Sequence, residues 1–324
     1  MAMHRTQHIR SYLYSASIFV CLLGTVVLDN VSAVGGNIDA NARSGATGWT
    51  YDTWENPESK LWPNEWHIAY PACGGARQSP VNLTFDGTKL NRVRLPPIYV
   101  TNYGEAPSGF KWKLENNGHT LQLSAPKFTK MPTLSGGGLP QLSYTFRQIH
   151  VHWGSEDARG SEHFLEGKQF ALEMHLVHYM DGVPDSVVTS NPGGIAVLGI
   201  LFEVAQESEV DPLWDDLIEK VTKVAKPGAL IAPVPHFVLE RLLPTNRSFM
   251  RYYGSLTTPP CTEAVVWTVF TTPIRIAARH LTVLRSLRTE SGGHRISKKQ
   301  QFMVDNYRPL QRLNNRDIIF HHEK

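Results

Sequence analysis

The feature that most constrains this chain is a strand-like segment with histidines set into it. "FRQIHVHWG", residues 146–154, places His150 and His152 one residue apart among apolar and aromatic neighbours. In a β-strand, residues i and i+2 share a face. His150 and His152 therefore project together, while Ile149, Val151 and Trp153 take the other side. Two adjacent imidazoles against a core cost desolvation unless something pairs them. A metal ion would do so, since neutral imidazole is the commonest metal ligand. The alternative is a pair of half-exposed histidines hydrogen-bonded on a sheet surface.

Other segments share the same period. "FKWKLENNGHTLQLS" (110–124) alternates Phe110, Trp112 and Leu114 with lysines around an "NNG" turn signal. Strands are also expected over 142–153, 169–179, 195–204 and 263–274. Two helices are expected. One, "DPLWDDLIEKVTKV" (211–224), opens with a capping Asp and a first-turn Pro; the other is "AARHLTVLRSLR" (277–288). Residues 49–69 are rich in aromatics and prolines without a period and read as an irregular arm, with Trp49, Trp54, Trp62 and Trp66 as packing residues. No repeat or linker divides the body, and "SGGG" (135–138) reads as a loop. At 41% hydrophobic and 19% charged, the chain can bury the core of one large sheet-based domain. A formal charge of +3 with no long basic run gives no reason to expect nucleic acid.

The N-terminus carries positive charge, then "IFVCLLGTVVL" (18–28), then the small residues of "VSA" (31–33). This reads as a signal peptide, residues 1–33, cleaved after Ala33. The alternative is a short uncleaved anchor, although the apolar run falls short of the roughly 20 residues a span needs. A Gly/Asn/Ala-rich segment, 34–48, is expected to be flexible. With Cys21 in the signal, Cys73 and Cys261 remain as the only pair in an oxidising compartment, where two thiols most often bridge. Sequons at Asn82 ("NLT") and Asn246 ("NRS") make N-glycosylation possible and fit secretion. The C-terminal "IIFHHEK" lacks the hydrophobic tail of a lipid-anchor signal or a second span, so no membrane span is expected in the mature chain.

The segment "GSEHFLEGKQFALEMHLVHY" (160–179) supplies partners for the first two histidines. On its strand, Glu173, His175 and Val177 share one face, so His175 meets His150 and His152 if the two strands pair. Three imidazoles leave one corner of a zinc tetrahedron open, as a catalytic site requires. Gln148 and Glu173, each two residues before a histidine, can hold the second ring nitrogens and fix their tautomers. "HVHWGSE" also fits the His-x-His-x3-Glu pattern of cupins, with Glu156 as a fourth ligand to iron or manganese, but no second cupin motif follows. His163 and His178 lie out of phase with the ligands and read as satisfied core groups; His67, His236, His280, His321 and His322 read as surface or structural.

Taken together, the residues resemble the α-carbonic anhydrase family, secreted type. The resemblance rests on "SEHFLEGKQFALEMHLV" (161–177), "RQSPVNL" (77–83), "NNGH" (116–119), "FRQIHVHWGS" (146–155), "GIAVLGILFEV" (194–204), "SLTTPPCTE" (255–263) and "MVDNYRP" (303–309). These blocks stand in the family's order. The resemblance implies a single mixed α/β domain over 49–324, with a ten-stranded, mostly antiparallel twisted sheet and short surface helices. It implies Zn2+ on His150, His152 and His175, with Gln148, Glu173 and the backbone of Asn306 behind them. By the same resemblance Thr257 is the gatekeeper hydroxyl, Glu162 accepts its proton, and Thr258 is the neighbouring pocket threonine. Val177, Val197, Leu256, Val265 and Trp267 match the apolar wall for carbon dioxide. His119 matches the proton shuttle, and Cys73 and Cys261 stand where secreted members are bridged. Tyr179 and Gln122 replace a frequent Trp and Asn, and neither is a ligand.

The implied activity is reversible hydration of carbon dioxide to bicarbonate and a proton by attack of zinc-bound hydroxide, outside the cell. A non-catalytic matrix or binding module on the same fold is the alternative. Such relatives usually lose a zinc histidine, and all three are present here.

Overall fold

Period-two alternation gathers into one mixed sheet in the computed structural model, which describes residues 48–51, 60–86, 90–91, 95–104, 112–124, 130–234, 238–289 and 302–323. The expected signal peptide, most of the flexible segment, Trp54 and His236 lie outside the described residues. In spatial order the main path of the sheet runs Leu230–Val234, Trp112–Asn116, Leu121–Ser124, Tyr144–Trp153, Leu172–Met180, Ile195–Val204, Val265–Phe270, Phe249–Gly254, Ile318–His321 and Leu90–Asn91. This path has the ten strands expected. Three short strands, Ile98–Thr101, Thr133–Gly136 and Ile274–Ile276, pair beside it to give thirteen among the described residues. Strand 195–204 is parallel to 265–270 and 274–276, and 318–321 is parallel to 90–91; the other pairings are antiparallel.

Local chemistry sets the strand ends. The expected 263–274 strand is two pieces because the chain breaks around Pro273, which has no N–H for the ladder, before pairing again at Ile274. The hairpin 112–124 turns on paired asparagines. Asn116 Oδ1 accepts from Gly118 N, and Asn117 Oδ1 accepts from the backbone of both His119 and Thr120. These Asx bonds, with Gly118 at φ 88°, close the loop and place His119 at its tip.

The two helices are shorter than expected. The first is Leu213–Val221, begun by Asp211 Oδ1 accepting from Leu213 N and tightening to a 3-10 turn at Thr222–Val224. The second, Ala278–Leu284, gives way to i→i−3 bonds at Ser286 and Leu287. Trp214 and Leu217 of the first and Leu284 of the second line the same apolar space as Ile149, Val151 and Met174. The helices thus cover one face of the 144–153 strand and leave the histidine face to the site. The N-terminal arm adds a parallel pair, Gly48–Trp49 with Lys60–Leu61, and a one-turn helix, Trp66–Ala69. Here Trp49 and Tyr51 meet the buried Trp66 edge to face. Among the described residues no helix is long and apolar enough to cross a membrane.

Candidate metal centre and its surroundings

Register brings the three histidines together. His175 stands directly opposite His150 on the neighbouring antiparallel strand, and Glu173 opposite His152. Across the next pairing His175 faces Gly199. A Cβ at Gly199 would meet Glu173 Oε1 at 3.1 Å and Val269 at 3.2 Å, so the bare glycine leaves Glu173 its place behind the ring.

Each ring is oriented by an oxygen acceptor on its far side. His150 Nδ1 donates to Gln148 Oε1 at 2.9 Å, His152 Nδ1 to the Asn306 carbonyl at 2.8 Å, and His175 Nε2 to Glu173 Oε1 at 2.8 Å. Those nitrogens carry the protons, so His150 Nε2, His152 Nε2 and His175 Nδ1 present lone pairs in the neutral rings. The three converge, with His175 Nδ1 3.1 Å from His150 Nε2 and 3.2 Å from His152 Nε2. Three lone pairs at that separation have no proton to share and repel unless a cation sits among them. A tetrahedral ion with bonds near 2.0 Å has ligand edges of about 3.3 Å. The donor set therefore fits zinc.

Charge around the cluster agrees. Burial, with His175 and His152 beside it, pushes the His150 pKa well below its ordinary value, and burial lowers that of His152. Burial raises the pKa of Glu173, but the His163 and His175 imidazoles outweigh this and hold it well below the usual carboxylate range. Glu173 is satisfied on both oxygens: Oε2 accepts from the backbone of Glu162 and His163, and Oε1 from His163 Nδ1 as well as His175. His163 Nε2 meets the Tyr252 hydroxyl at 2.6 Å. The second group of metal-type donors, His163, Glu173 and His175, is thus held together by protons.

Most of the remaining expected residues lie on the strands next to this centre and on the loop between strands 249–254 and 265–270. Val177, Val197 and Trp267 are buried and stand in register across three strands, with Val265 two residues before Trp267. The Trp267 ring lies 4.8 Å from that of His175, and its Nε1 donates to the Ser255 carbonyl. Leu256 and Thr258 are half-buried on either side of the buried Thr257. Glu162 is fully buried; its Oε2 lies 3.4 Å from His152 Nε2 and has no hydrogen-bond partner. The bond from Thr257 that the resemblance implies is not formed in this structure. Asn306 does more than offer its carbonyl, because its side chain accepts from Trp153 N and donates to the carbonyls of His119 and Val151.

His119 is half-buried and stacks on Trp49, with ring centres 3.9 Å apart. The arm tryptophan thus packs as expected and also touches the candidate shuttle. Cys73 and Cys261 form a disulfide. Asn82 is half-buried and accepts from Gly167 N, whereas Asn246 is exposed and accepts from Ser248 N. Glu156 is exposed and outside the histidine cluster, so the cupin pattern has no counterpart here. His163, His178 and His280 are buried, each with a polar partner.

Two residues near Glu162 carry no local signal in the sequence. Arg308, within the quoted "MVDNYRP", is 2% exposed, and its backbone N–H donates to Glu162 Oε1 at 2.8 Å. Tyr51 of the arm lies close enough to Glu162 and Arg308 for both charges to act on its hydroxyl.

The family model for eukaryotic-type carbonic anhydrase matches residues 61–322. The chain is 35% identical to carbonic anhydrase 12 of Homo sapiens over 272 residues, which are 83% of this chain and 71% of that protein. It is 33% identical to carbonic anhydrase 15 of Mus musculus over 276 residues, covering 83% and 82% of the two chains. To carbonic anhydrase 4 of Rattus norvegicus it is 36% identical over 255 residues, 77% of each chain.

Proposed function

The chain belongs to the eukaryotic-type carbonic anhydrase family, and we propose that it hydrates carbon dioxide reversibly to bicarbonate and a proton, with zinc held by His150, His152 and His175. The observation that carries this reading is the convergence of three unprotonated ring nitrogens, each ring fixed from behind by an oxygen acceptor. Zinc bound there supplies a Lewis acid that makes water a nucleophile near neutral pH, with a pKa of about 7, for which carbonic anhydrase is the standing example.

The chain's own groups then divide the work. Glu162 Oε2, buried and without a donor in this structure, is the acceptor to which the Thr257 hydroxyl turns in the working site. This turns the threonine lone pair towards the reacting oxygen and selects the geometry of attack. Val177, Val197, Leu256, Val265 and Trp267 form a dry wall suited to a neutral, nearly apolar substrate, and Thr258 borders it. Gln148, Glu173 and the Asn306 carbonyl keep the three rings in one tautomer. His119 takes the proton released in each turnover and passes it to buffer, a task for which imidazole is the side chain best suited near neutral pH.

Secretion is part of the same reading. It is supported by the signal-like segment 1–33 and by a disulfide spanning 188 residues, a bond that persists in oxidising compartments. Removal of metal by a strong chelator is expected to abolish hydration, and zinc returned in stoichiometric amount to restore it. Full activity in protein shown to be metal-free would overturn the proposal.

A further inference from the structure

Glu162 is an acid with no exposed surface, and the residue that holds it was not anticipated from the sequence. Its Oε1 accepts from the backbone N–H of Arg308. The Arg308 side chain turns away and is clamped on three sides. Nη1 donates to Gln78 Oε1 at 2.8 Å and to the Ser79 carbonyl at 2.9 Å, and Nη2 donates to the Cys73 carbonyl at 3.0 Å. The guanidinium also lies over the Trp66 ring, 5.5 Å from its centre. Of the charges that act on Arg308, the one carboxylate is Glu162, and the two groups have no direct ion pair among the contacts described. One residue thus gives Glu162 both a directed hydrogen bond and a buried positive charge.

The clamp reaches further. Gln78 Nε2, on the amide whose oxygen receives Arg308, donates to the carbonyls of Ala72 and Cys261 and to Glu263 Oε1. Segment 72–79 is therefore locked to the far side of the disulfide, and Arg308 joins that locked segment to Glu162. A buried guanidinium is costly unless its donors are met. Here the fork meets three acceptors, while Nε remains without one.

We propose that Arg308 is a positioning residue for the hydration reaction: its clamped side chain fixes its own backbone N–H against Glu162 Oε1 and so holds Glu162 Oε2 at the histidine cluster, 3.4 Å from His152 Nε2, as the acceptor for the Thr257 hydroxyl. The inference rests on the proposed function of this site. It makes the 72–79 segment and the disulfide part of the support of the catalytic constellation, through a residue more than two hundred positions away in sequence.

The test is a double-mutant cycle in the mature, zinc-loaded protein. Arg308→Met and Arg308→Lys are each made alone and in a Glu162→Gln background. The readings are kcat/KM for hydration, zinc content, and the crystal structure of each variant. Arg308→Met is expected to lower kcat/KM roughly 10-fold or more with zinc retained, and to lose most of that effect once Glu162 is already Gln. Arg308→Lys, which keeps the charge without the fork, is expected to recover part of the loss. In the crystal structures Glu162 is expected to turn away from the residue 308 backbone in Arg308→Met. Equal losses in both backgrounds would mark a purely structural role and overturn the proposal, as would no loss at all. If Arg308→Met does not fold, Arg308→Lys is carried through the same cycle and judged by the same criteria. An inactive wild type would count against the proposed function instead. The crystal structures would then decide this inference, and an unmoved Glu162 would refute it.

Discussion

Removing the Cys73–Cys261 bond is expected to damage both stability and the Thr257 loop. The bond closes a loop of 188 residues. In the chain-entropy account a crosslink of that span destabilises the unfolded chain by about 5 kcal/mol. A domain's whole stability is on the order of 5–15 kcal/mol, so the bond supplies a large share of it. The disulfide also lies in a small buried cluster with Leu61 and Trp66. Cys261 N donates to the Thr258 carbonyl and Leu256 N to the Thr262 carbonyl, so the residue that carries the bridge also closes the loop that presents Thr257. The perturbation is Cys73→Ala with Cys261→Ala, which avoids leaving a free thiol. Urea unfolding of the double variant beside the oxidised wild type reads the energy. With a slope near 3 kcal/mol per molar urea, the midpoint is expected to fall by roughly 1.7 M. Hydration activity, measured well below that midpoint, is expected to fall as well. A midpoint within about 0.3 M of wild type at the same slope would refute the entropy reasoning. Unchanged kcat in a clearly destabilised variant would refute the link to the loop.

Three other perturbations have definite outcomes. His119→Ala is expected to lower kcat on the order of 10²-fold in dilute buffer, with added imidazole restoring much of it; a loss that no buffer rescues would mean that His119 does not relay the proton. Glu173→Gln keeps the size of the side chain but removes the charge that His163 and His175 share, and zinc affinity is expected to fall by about 10–100-fold by competition with a chelating dye. Unaltered affinity there would contradict the orienting role. Burial lowers His178 to about 4, below the ordinary value of about 6.5, so between those values the unfolded chain binds a proton that the folded chain refuses. Stability is therefore expected to rise with pH across that window, by up to about 3 kcal/mol from this group, and to be lost on acidification. His178→Gln should flatten the pH dependence of the urea midpoint; an identical slope in the variant would remove His178 as its source.

Much of the centre was legible because it is local. His150, His152, Gln148, Glu173 and His175 sit on two strands at a spacing of two, so their common face follows from pleat geometry, and only the pairing of the strands had to be supplied. The ten-stranded path was available from the resemblance, but three extra strands of three or four residues were too short to show alternation. The helix ends were overestimated because apolar spacing continues through the 3-10 turns that follow them. What periodicity could not reach is long-range polar contact. Arg308 meets residues 229 to 235 positions away, and the Trp49 ring stacks on His119 across the fold. Nothing in either neighbourhood marks such a partner. The implied Thr257–Glu162 bond was a family expectation of the same long-range kind, and it is the one contact of the constellation absent from the geometry.

The most direct test of the central claim is stopped-flow hydration of carbon dioxide by the mature, zinc-loaded protein beside its His175→Ala variant. The account predicts rapid hydration by the wild type and its loss in the variant, because two imidazoles no longer close the donor set around the ion. A folded wild type that binds zinc on these histidines and does not hydrate carbon dioxide would contradict it, as would a variant that hydrates as fast as the wild type.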